Sequence, residues 1–301
     1  MAVIDVVILT DSRYINPSAP GAYVQNILNE DQLVRDALES KGLSVDRKDW
    51  ADPEFDWAST KSILFRTAWD YFDRFQEFSN WLSSTSSKTH FINSSQIITW
   101  NVDKHYLDDL GRSGVRVVPT RYLKRSDNLS ISKIHEITGW NDTVIKPTVG
   151  GAGRHTHRIK PESINTIASK LEDVMLEEDF MLQPFLRSIL SSGEWSFVFF
   201  GTTFSHAVLK RAKKGDFRVQ DDFGGTVHKY QPTESEIAFA RTALLACPEL
   251  PAYARVDIVL DNEGYLAVSE LELIEPELWF RLHPESTALL AEEVLKRLPE
   301  S

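Results

Sequence analysis

The chain has 301 residues, 42% hydrophobic and 26% charged, the balance of a globular protein with room for two or three subdomains. Lys and Arg number 33 against 44 Asp and Glu, and a formal net charge of −11 argues against non-specific binding to nucleic acid or an anionic membrane; an anionic ligand needs a local basic pocket. Cys247 is the sole cysteine, which excludes an intramolecular disulfide and fits a reducing, cytoplasmic compartment.

The apolar start MAVIDVVILT has no basic n-region or cleavage site and is too short to span a membrane, so residues 3–9 read as a buried strand. Residues 29–40 read as a helix with Leu33, Val34 and Leu38 on one face and Gly42 just past its end. Residues 43–45 and 62–66 are further short strands, and the alternation suggests a parallel α/β first domain. A helix is expected over residues 101–110, then Gly114 and Pro119 punctuate the chain. A second unit follows, with a strand at 143–146, a Gly-rich loop at 149–154, a helix at 161–176 and a strand at 180–183. The third section is rich in strands, at 194–200, 203–210, 253–260 and 265–273, and a helix over 285–298 closes it.

Chemistry concentrates in three places. On the hairpin formed by the last two strands, alternation puts Arg255 with Asp257 on one face and Glu270 with Glu272 on one face. Three carboxylates in otherwise apolar strands repel unless a cation sits among them, and Mg²⁺ suits such oxygens; an ordinary solvated strand face weighs about equally. Second, Lys146 ends an apolar strand, where an ammonium is costly without an anionic partner, and Lys104 stands at a helix start. Gly150, Gly151 and Gly153 follow in a loop able to approach phosphate closely, although it is neither a Walker loop nor a Rossmann fingerprint and most glycine clusters are plain turns. Third, Lys210, Arg211, Lys213, Lys214 and Arg218 form the densest basic stretch. Most such lysines are solvated, but Arg218 sits between Phe217 and Val219, where a guanidinium can hold phosphate or carboxylate bidentately.

The order of these motifs, over about residues 93–280, resembles the ATP-grasp superfamily, the family of D-alanine–D-alanine ligase and glutathione synthetase. The resemblance implies an α/β (α+β) ATP-grasp fold, with an N-terminal α/β substrate domain at 1–97, a central subdomain at 98–184 and a C-terminal subdomain at 185–301 that clamp ATP between them. It implies that Lys104, Lys146 and Lys210 reach the nucleotide and that the glycine loop closes over the phosphates. Gln183, Pro184, Phe185 and Leu186 would form the adenine hinge, with the Pro184 carbonyl and the Leu186 N–H as reading groups. Glu194 would hold the ribose, and Asp257, Glu270 and Glu272 would hold Mg²⁺. The family often has Asn at the last of these positions, and Glu272 departs from that. Two ions are expected, with Mn²⁺ able to substitute. Arg218 and Arg255 would hold the transferred phosphoryl group and the acyl phosphate. The phrases Arg66-Thr-Ala-Trp-Asp-Tyr, Tyr253-Ala-Arg-Val-Asp and Glu270-Leu-Glu-Leu-Ile-Glu-Pro-Glu-Leu are similar to the group around the D-cycloserine-forming ligase.

The implied activity is an ATP-dependent carboxylate–amine ligase acting through an acyl phosphate on a small amino-acid-like molecule, with intramolecular ring closure one form of it and a homodimer compatible with it. Alternatives are a peptide-modifying ligase of the same fold, a nucleotide-binding module without catalysis, and a kinase that stops at a phosphorylated alcohol. Thr10, Asp11, Trp69, Asp70 and Tyr71 end first-domain strands, where α/β domains bind ligands, although a core role for Trp69 and Tyr71 weighs slightly more. No general base stands out, and His155 and His157 beside the glycine loop are left unassigned.

Overall fold

The computed structural model describes residues 3–125, 130–219 and 223–299; Gln220, Asp221 and Asp222 of the basic stretch lie outside these. The apolar N-terminal run becomes β1 (Ile4–Thr10), buried on both faces from Val6 onward, as a central parallel strand should be. It pairs in parallel with β2 (Val45–Asp49) and β3 (Thr60–Thr67), and β3 pairs with β4 (His90–Ile92), in the order β2-β1-β3-β4. Helix α1 (Ala22–Glu39) connects β1 to β2, and α2 (Phe75–Thr85) connects β3 to β4. The connections leave β1 in opposite directions, so the crevice at the carboxyl ends of β1 and β3 is a topological switch point. Thr10 Oγ1 lies 2.6 Å from Thr67 Oγ1 there.

Helix α1 begins seven residues before its predicted start. Its inward face carries Glu30 and Asp31 as well as Ile27, Val34 and Leu38, and the two buried acids interrupt the apolar period that marks a helix in sequence. They are held by Arg281 and Arg47 respectively, at 2.9 and 2.7 Å. Strand β2 falls later than predicted, on Asp46, Arg47 and Lys48, because an edge strand tolerates charge. The single helix expected over 101–110 is two helices, α3 (Ser95–Asn101) and α4 (Tyr106–Arg112), and Lys104 occupies the turn between them.

The middle sheet is antiparallel, β5 (Arg121–Leu123), β8 (Phe180–Pro184), β6 (Thr143–Pro147) and β7 (His157–Ile159), in the order β5-β8-β6-β7. Helices α5 (Ile131–Thr138) and α6 (Ile164–Glu177) pack Ile131, Ile134 and Leu171 against Ile145, Phe180 and Leu182 of that sheet. After the short α7 (Ser188–Ser191), the third sheet orders β11 (Thr226–Tyr230), β10 (Thr203–Arg211), β9 (Glu194–Phe200), β12 (Tyr253–Leu260) and β13 (Leu266–Glu272), again antiparallel. Helix α8 (Glu234–Leu245), opened by a Thr233–Glu236 capping box, covers one face, and α9 (Thr287–Leu295) packs with α1 on the other.

Buried amides stitch the first and third sheets together. Asn93 donates to the carbonyls of Tyr253 (2.9 Å) and Leu273 (2.7 Å) and accepts from the N–H of Ala252 (2.6 Å). Asn101 donates to Leu271 O and accepts from Leu273 N, and Tyr253 donates to Ile274 O at 2.8 Å. Every stitch is satisfied, so the polar atoms add direction to the interface without leaving a desolvated donor. Among the described residues no helix is long and apolar enough to cross a membrane.

Candidate active site

A cavity of about 500 Å³ lies where the three sheets meet, lined by Trp69 and Tyr71 from the first, Lys146 and Gly150 from the second, and Asp257 and Glu270 from the third. Its floor is the β12–β13 hairpin. Ala254, Val256 and Ile258 face the apolar cluster under α8, which sends Arg255 and Asp257 to the cavity side. The returning strand must change phase to do the same. Val268, Leu271 and Leu273 all enter that cluster, and a β-bulge at Ser269, where Asp257 pairs with Glu270 but Ile258 with Val268, makes the change. Without it Glu270 would point into the leucines. The Ser269 hydroxyl is held at 3.1 Å from both the Asp257 carbonyl and the Glu194 carboxylate.

One oxygen each from Asp257, Glu270 and Glu272 lies within 4.8 Å of the others, a set of hard oxygen donors that fits Mg²⁺. The repulsion expected between them is already met by side chains. Asp257, 1% exposed, accepts from Arg255 Nε (3.0 Å) and Nη2 (2.9 Å), Lys210 Nζ (3.1 Å) and Ser196 Oγ (2.5 Å). Glu270 faces Lys104 Nζ at 3.2 Å and Lys146 Nζ at 4.0 Å, and Arg255 also donates to Glu272. Burial alone would raise the Glu270 carboxyl, but Lys146 and Lys104 outweigh it and hold it at about 2. Glu272 goes the other way: burial, only partly offset by Arg255 and reinforced by Asp257 and Glu270, pushes it up to about 8.

The glycine-loop side is equally built. Lys104 also donates to Gly150 O at 2.5 Å, so it touches both the glycine loop and the carboxylates. Lys146 leaves β6 beside that loop. Gly153 sits at φ +66° and a Cβ there would come within 2.7 Å of the Phe223 ring; at Gly151 a Cβ would meet Phe72 at 2.9 Å. Arg154 ties the loop down, forking onto Glu178 at 2.6 Å and reaching Asp73 of the first unit at 2.9 Å. Arg218 lines the cavity, paired to Asp216 at 2.7 Å and stacked 3.6 Å from the Phe223 ring. Of the rest of the basic stretch, Lys210 is buried against Glu194 (2.5 Å) and Asp257, while Arg211, Lys213 and Lys214 are solvated.

At the far wall, Gln183, Pro184, Phe185 and Leu186 run from the end of β8 to α7. Gln183 donates to Thr120 Oγ1 at 3.0 Å, and the Phe185 N–H to Asp142 O at 2.8 Å. Asn262 braces this segment from the hairpin turn, donating to Phe185 O at 3.0 Å and accepting from Arg187 N at 3.3 Å. Sequence reading takes Asn262 for an ordinary turn residue; nothing local marks its long-range partner.

The opposite end is aromatic. The Trp69 ring packs against Tyr14 (5.9 Å, edge-on) and Tyr23 (6.5 Å, tilted), and its Nε1 donates to Glu275 O at 2.9 Å. Tyr71 is 4% exposed and belongs to the first unit's apolar cluster, yet its hydroxyl meets the Glu275 carboxylate at the cavity wall. Asp11 is buried against Arg13, which lines the cavity, whereas Asp70 turns to Trp50 and Arg74. Glu275, Arg13, Tyr14 and Tyr23 are absent from the sequence-predicted set.

A glycine loop and two lysines over a carboxylate floor, with a braced segment behind, sit on an ATP-grasp fold. Residues 6–93 match the family model of the D-cycloserine synthetase DcsG N-terminal domain. The chain is 28% identical over 285 residues to the cycloserine biosynthesis protein DcsG of Streptomyces lavendulae, covering 87% of this chain and 92% of the relative. Its fold is similar to the crystal structure of D-cycloserine synthetase DcsG, with a TM-score of 0.85 and 24% identity over 98% of this chain and 99% of the other. It is also similar to D-alanine–D-alanine ligase from Bacillus anthracis (TM-score 0.69, 13% identity, 98% and 97% covered) and to the ATP-grasp ligase PsnB complexed with a minimal precursor (TM-score 0.65, 15% identity, 99% and 100% covered).

Proposed function

We propose that this protein is an ATP-dependent carboxylate–amine ligase that activates the carboxylate of a small amino-acid-like substrate as an acyl phosphate and joins it to a nitrogen nucleophile. The observation that carries the reading is the opposition of Lys104 and Lys146 to the Asp257–Glu270–Glu272 cluster within one cavity. Adenine would lie against residues 183–186 and ribose at Glu194, which leaves the phosphates between the lysines and the floor. Mg²⁺ bound by Asp257, Glu270 and Glu272 would neutralise phosphate charge; two ions are proposed, with Mn²⁺ able to replace them because it takes the same oxygen ligands.

A substrate carboxylate oxygen attacks the γ-phosphorus and ADP leaves; the nitrogen then attacks the carbonyl carbon and phosphate leaves with its electron pair. Lys104, Lys146 and Lys210 would hold the ADP and γ-phosphate oxygens, and Arg218 the transferred group from the loop side. Arg255 would hold the acyl-phosphate oxygen and the oxyanion that follows. The glycine loop, latched through Arg154, would keep water from the acyl phosphate. The 28% identity with DcsG favours a small molecule over a peptide. The substrate end, closed by Tyr14, Tyr23 and Trp69, suits one as well.

The test is a panel of D- and L-amino acids with MgATP, followed for ADP and phosphate release with and without hydroxylamine. Amino-acid-dependent ADP release with hydroxamate formation is the expected result. ADP release that never yields a hydroxamate would point to a kinase, and no release with any member would contradict the reading. Size-exclusion chromatography checks the proposed homodimer.

A further inference from the structure

Every acid lining the cavity except one is paired with a cation: Glu194 with Lys210, Asp257 with Arg255 and Lys210, Glu270 with the two lysines, Glu272 with Arg255, and Glu277 with Arg281. Glu275 is the exception among the described residues. Its backbone is fixed by Trp69, its carboxylate faces the neutral Tyr71 hydroxyl and feels Lys104 and Arg255 only from beyond ion-pair distance, and it stands where the aromatic substrate end meets the metal cluster. Ion-paired carboxylates are poor proton acceptors. One recessed beside a phenol, with no cation in ion-pair contact, is a better one.

We propose that Glu275 is the general base of the second half-reaction, accepting the proton that the substrate nitrogen gives up as it attacks the acyl phosphate. This deepens the ligase reading and rests on it. The N–H proton passes to a Glu275 carboxylate oxygen, the C–N bond forms, the C–O bond to phosphorus breaks and phosphate leaves. Tyr71 orients the carboxylate and can take part of its charge through the hydrogen bond. Burial pushes Glu275 up to about 7, which suits a group that must take a proton near neutrality and return it to solvent.

The experiment uses hydroxylamine, a nucleophile that is largely unprotonated at neutral pH and needs no base. With the amino acid that drives wild-type turnover fastest, C–N product formation and hydroxamate formation are measured for Glu275→Gln. Product formation is expected to fall about a hundredfold or more, the usual scale for losing a general base, while hydroxamate formation and stabilisation by MgATP stay near wild type. Glu275→Asp should recover part of the lost rate, showing that the carboxylate and not the fold was lost. Loss of product and hydroxamate together would assign Glu275 to phosphoryl transfer and overturn the proposal. So would unchanged product formation, or a raised KM at unchanged kcat, the mark of an ammonium anchor. A wild-type enzyme that forms no hydroxamate removes the ligase reading and the base with it.

Discussion

The two ends of the cavity are built by different rules. At the end proposed for the nucleotide the acids and bases cancel one another: Lys210 spans Glu194 and Asp257, and Glu270 spans two lysines. That end is a dense, nearly closed charge network, drawn from β6, β9, β10, β12, β13 and the turn between α3 and α4. At the end proposed for the substrate the walls are rings, the carboxylate of Glu275 has no ion pair, and the parts come from residues 13–23, 69–71 and 275. An end that must take MgATP can swap internal ion pairs for ligand pairs. An end that must discriminate among small molecules depends on shape and on a few polar groups.

Asp257→Asn gives the largest expected effect, because it removes charge from the centre of the network. Turnover should be abolished, and stability should fall by roughly 3 kcal/mol, the lower end for breaking a buried pair, since Lys210 keeps Glu194 and Arg255 keeps Glu272. Activity assays and urea unfolding measure both. Full turnover would place the metal elsewhere.

Arg255→Lys comes next. The guanidinium forks onto Asp257 and reaches Glu272, and an ammonium cannot reproduce that fork. Turnover should drop on the order of a hundredfold, with ATP affinity much less changed, because the proposed adenine and ribose contacts lie at residues 183–186 and Glu194. ATP binding and melting temperature lost in proportion would make Arg255 purely structural.

Glu270→Gln separates the two views of the floor. If the acids mainly repel one another, the ligand-free variant gains stability. The structure instead pairs Glu270 with Lys104 and Lys146, so the variant should lose about 1–3 kcal/mol without ligand as well as its activity. The sign follows from the carboxyl's position. Held at about 2, well below the ordinary value of 4.5, it contributes stability above the ordinary range that is lost as the pH falls through about 2. A melting-temperature series against pH, wild type against variant, reads this directly.

Gly153→Ala is smaller and local. A Cβ at φ +66° against Phe223 costs on the order of 1–3 kcal/mol of loop strain, which should appear as a raised KM for ATP and little change in melting temperature. Trp69→Phe is the mildest: it keeps a ring but drops the bond to Glu275 O, so the KM of the amino-acid substrate should rise several-fold, about 1 kcal/mol, with ATP unaffected. If ATP binding suffers instead, the two ends are not separable.

How much of this was legible follows the same division. Four of the five strands of the third sheet fall at or near their predicted ends, because long β-branched and aromatic runs carry a strong period; the short, polar β11 was not predicted. The phase change at Ser269 does not show in that period, although it is what aims Glu270 and Glu272 into the cavity. Helices α2, α5, α7 and α8 went unpredicted. For α8 the Thr233–Glu236 capping box was readable; for α2 the signal was Phe78, Leu82 and Thr85 inside a run of Ser and Asn that suggests a loop. Lys104 was found as a cation but placed in a helix, and it is the break between α3 and α4 that delivers it to Gly150 and Glu270. Glu275 and Asn262 escaped because their partners, Tyr71 and Phe185, lie far away in sequence.

The central claim is that a substrate carboxylate is activated by phosphorylation in this cavity. The most direct measurement labels that carboxylate with ¹⁸O, using the amino acid that drives ADP release, and follows the label by mass spectrometry of the released phosphate. One ¹⁸O transferred to each phosphate is the result expected of an acyl phosphate; phosphate without label, or label in AMP, would contradict it.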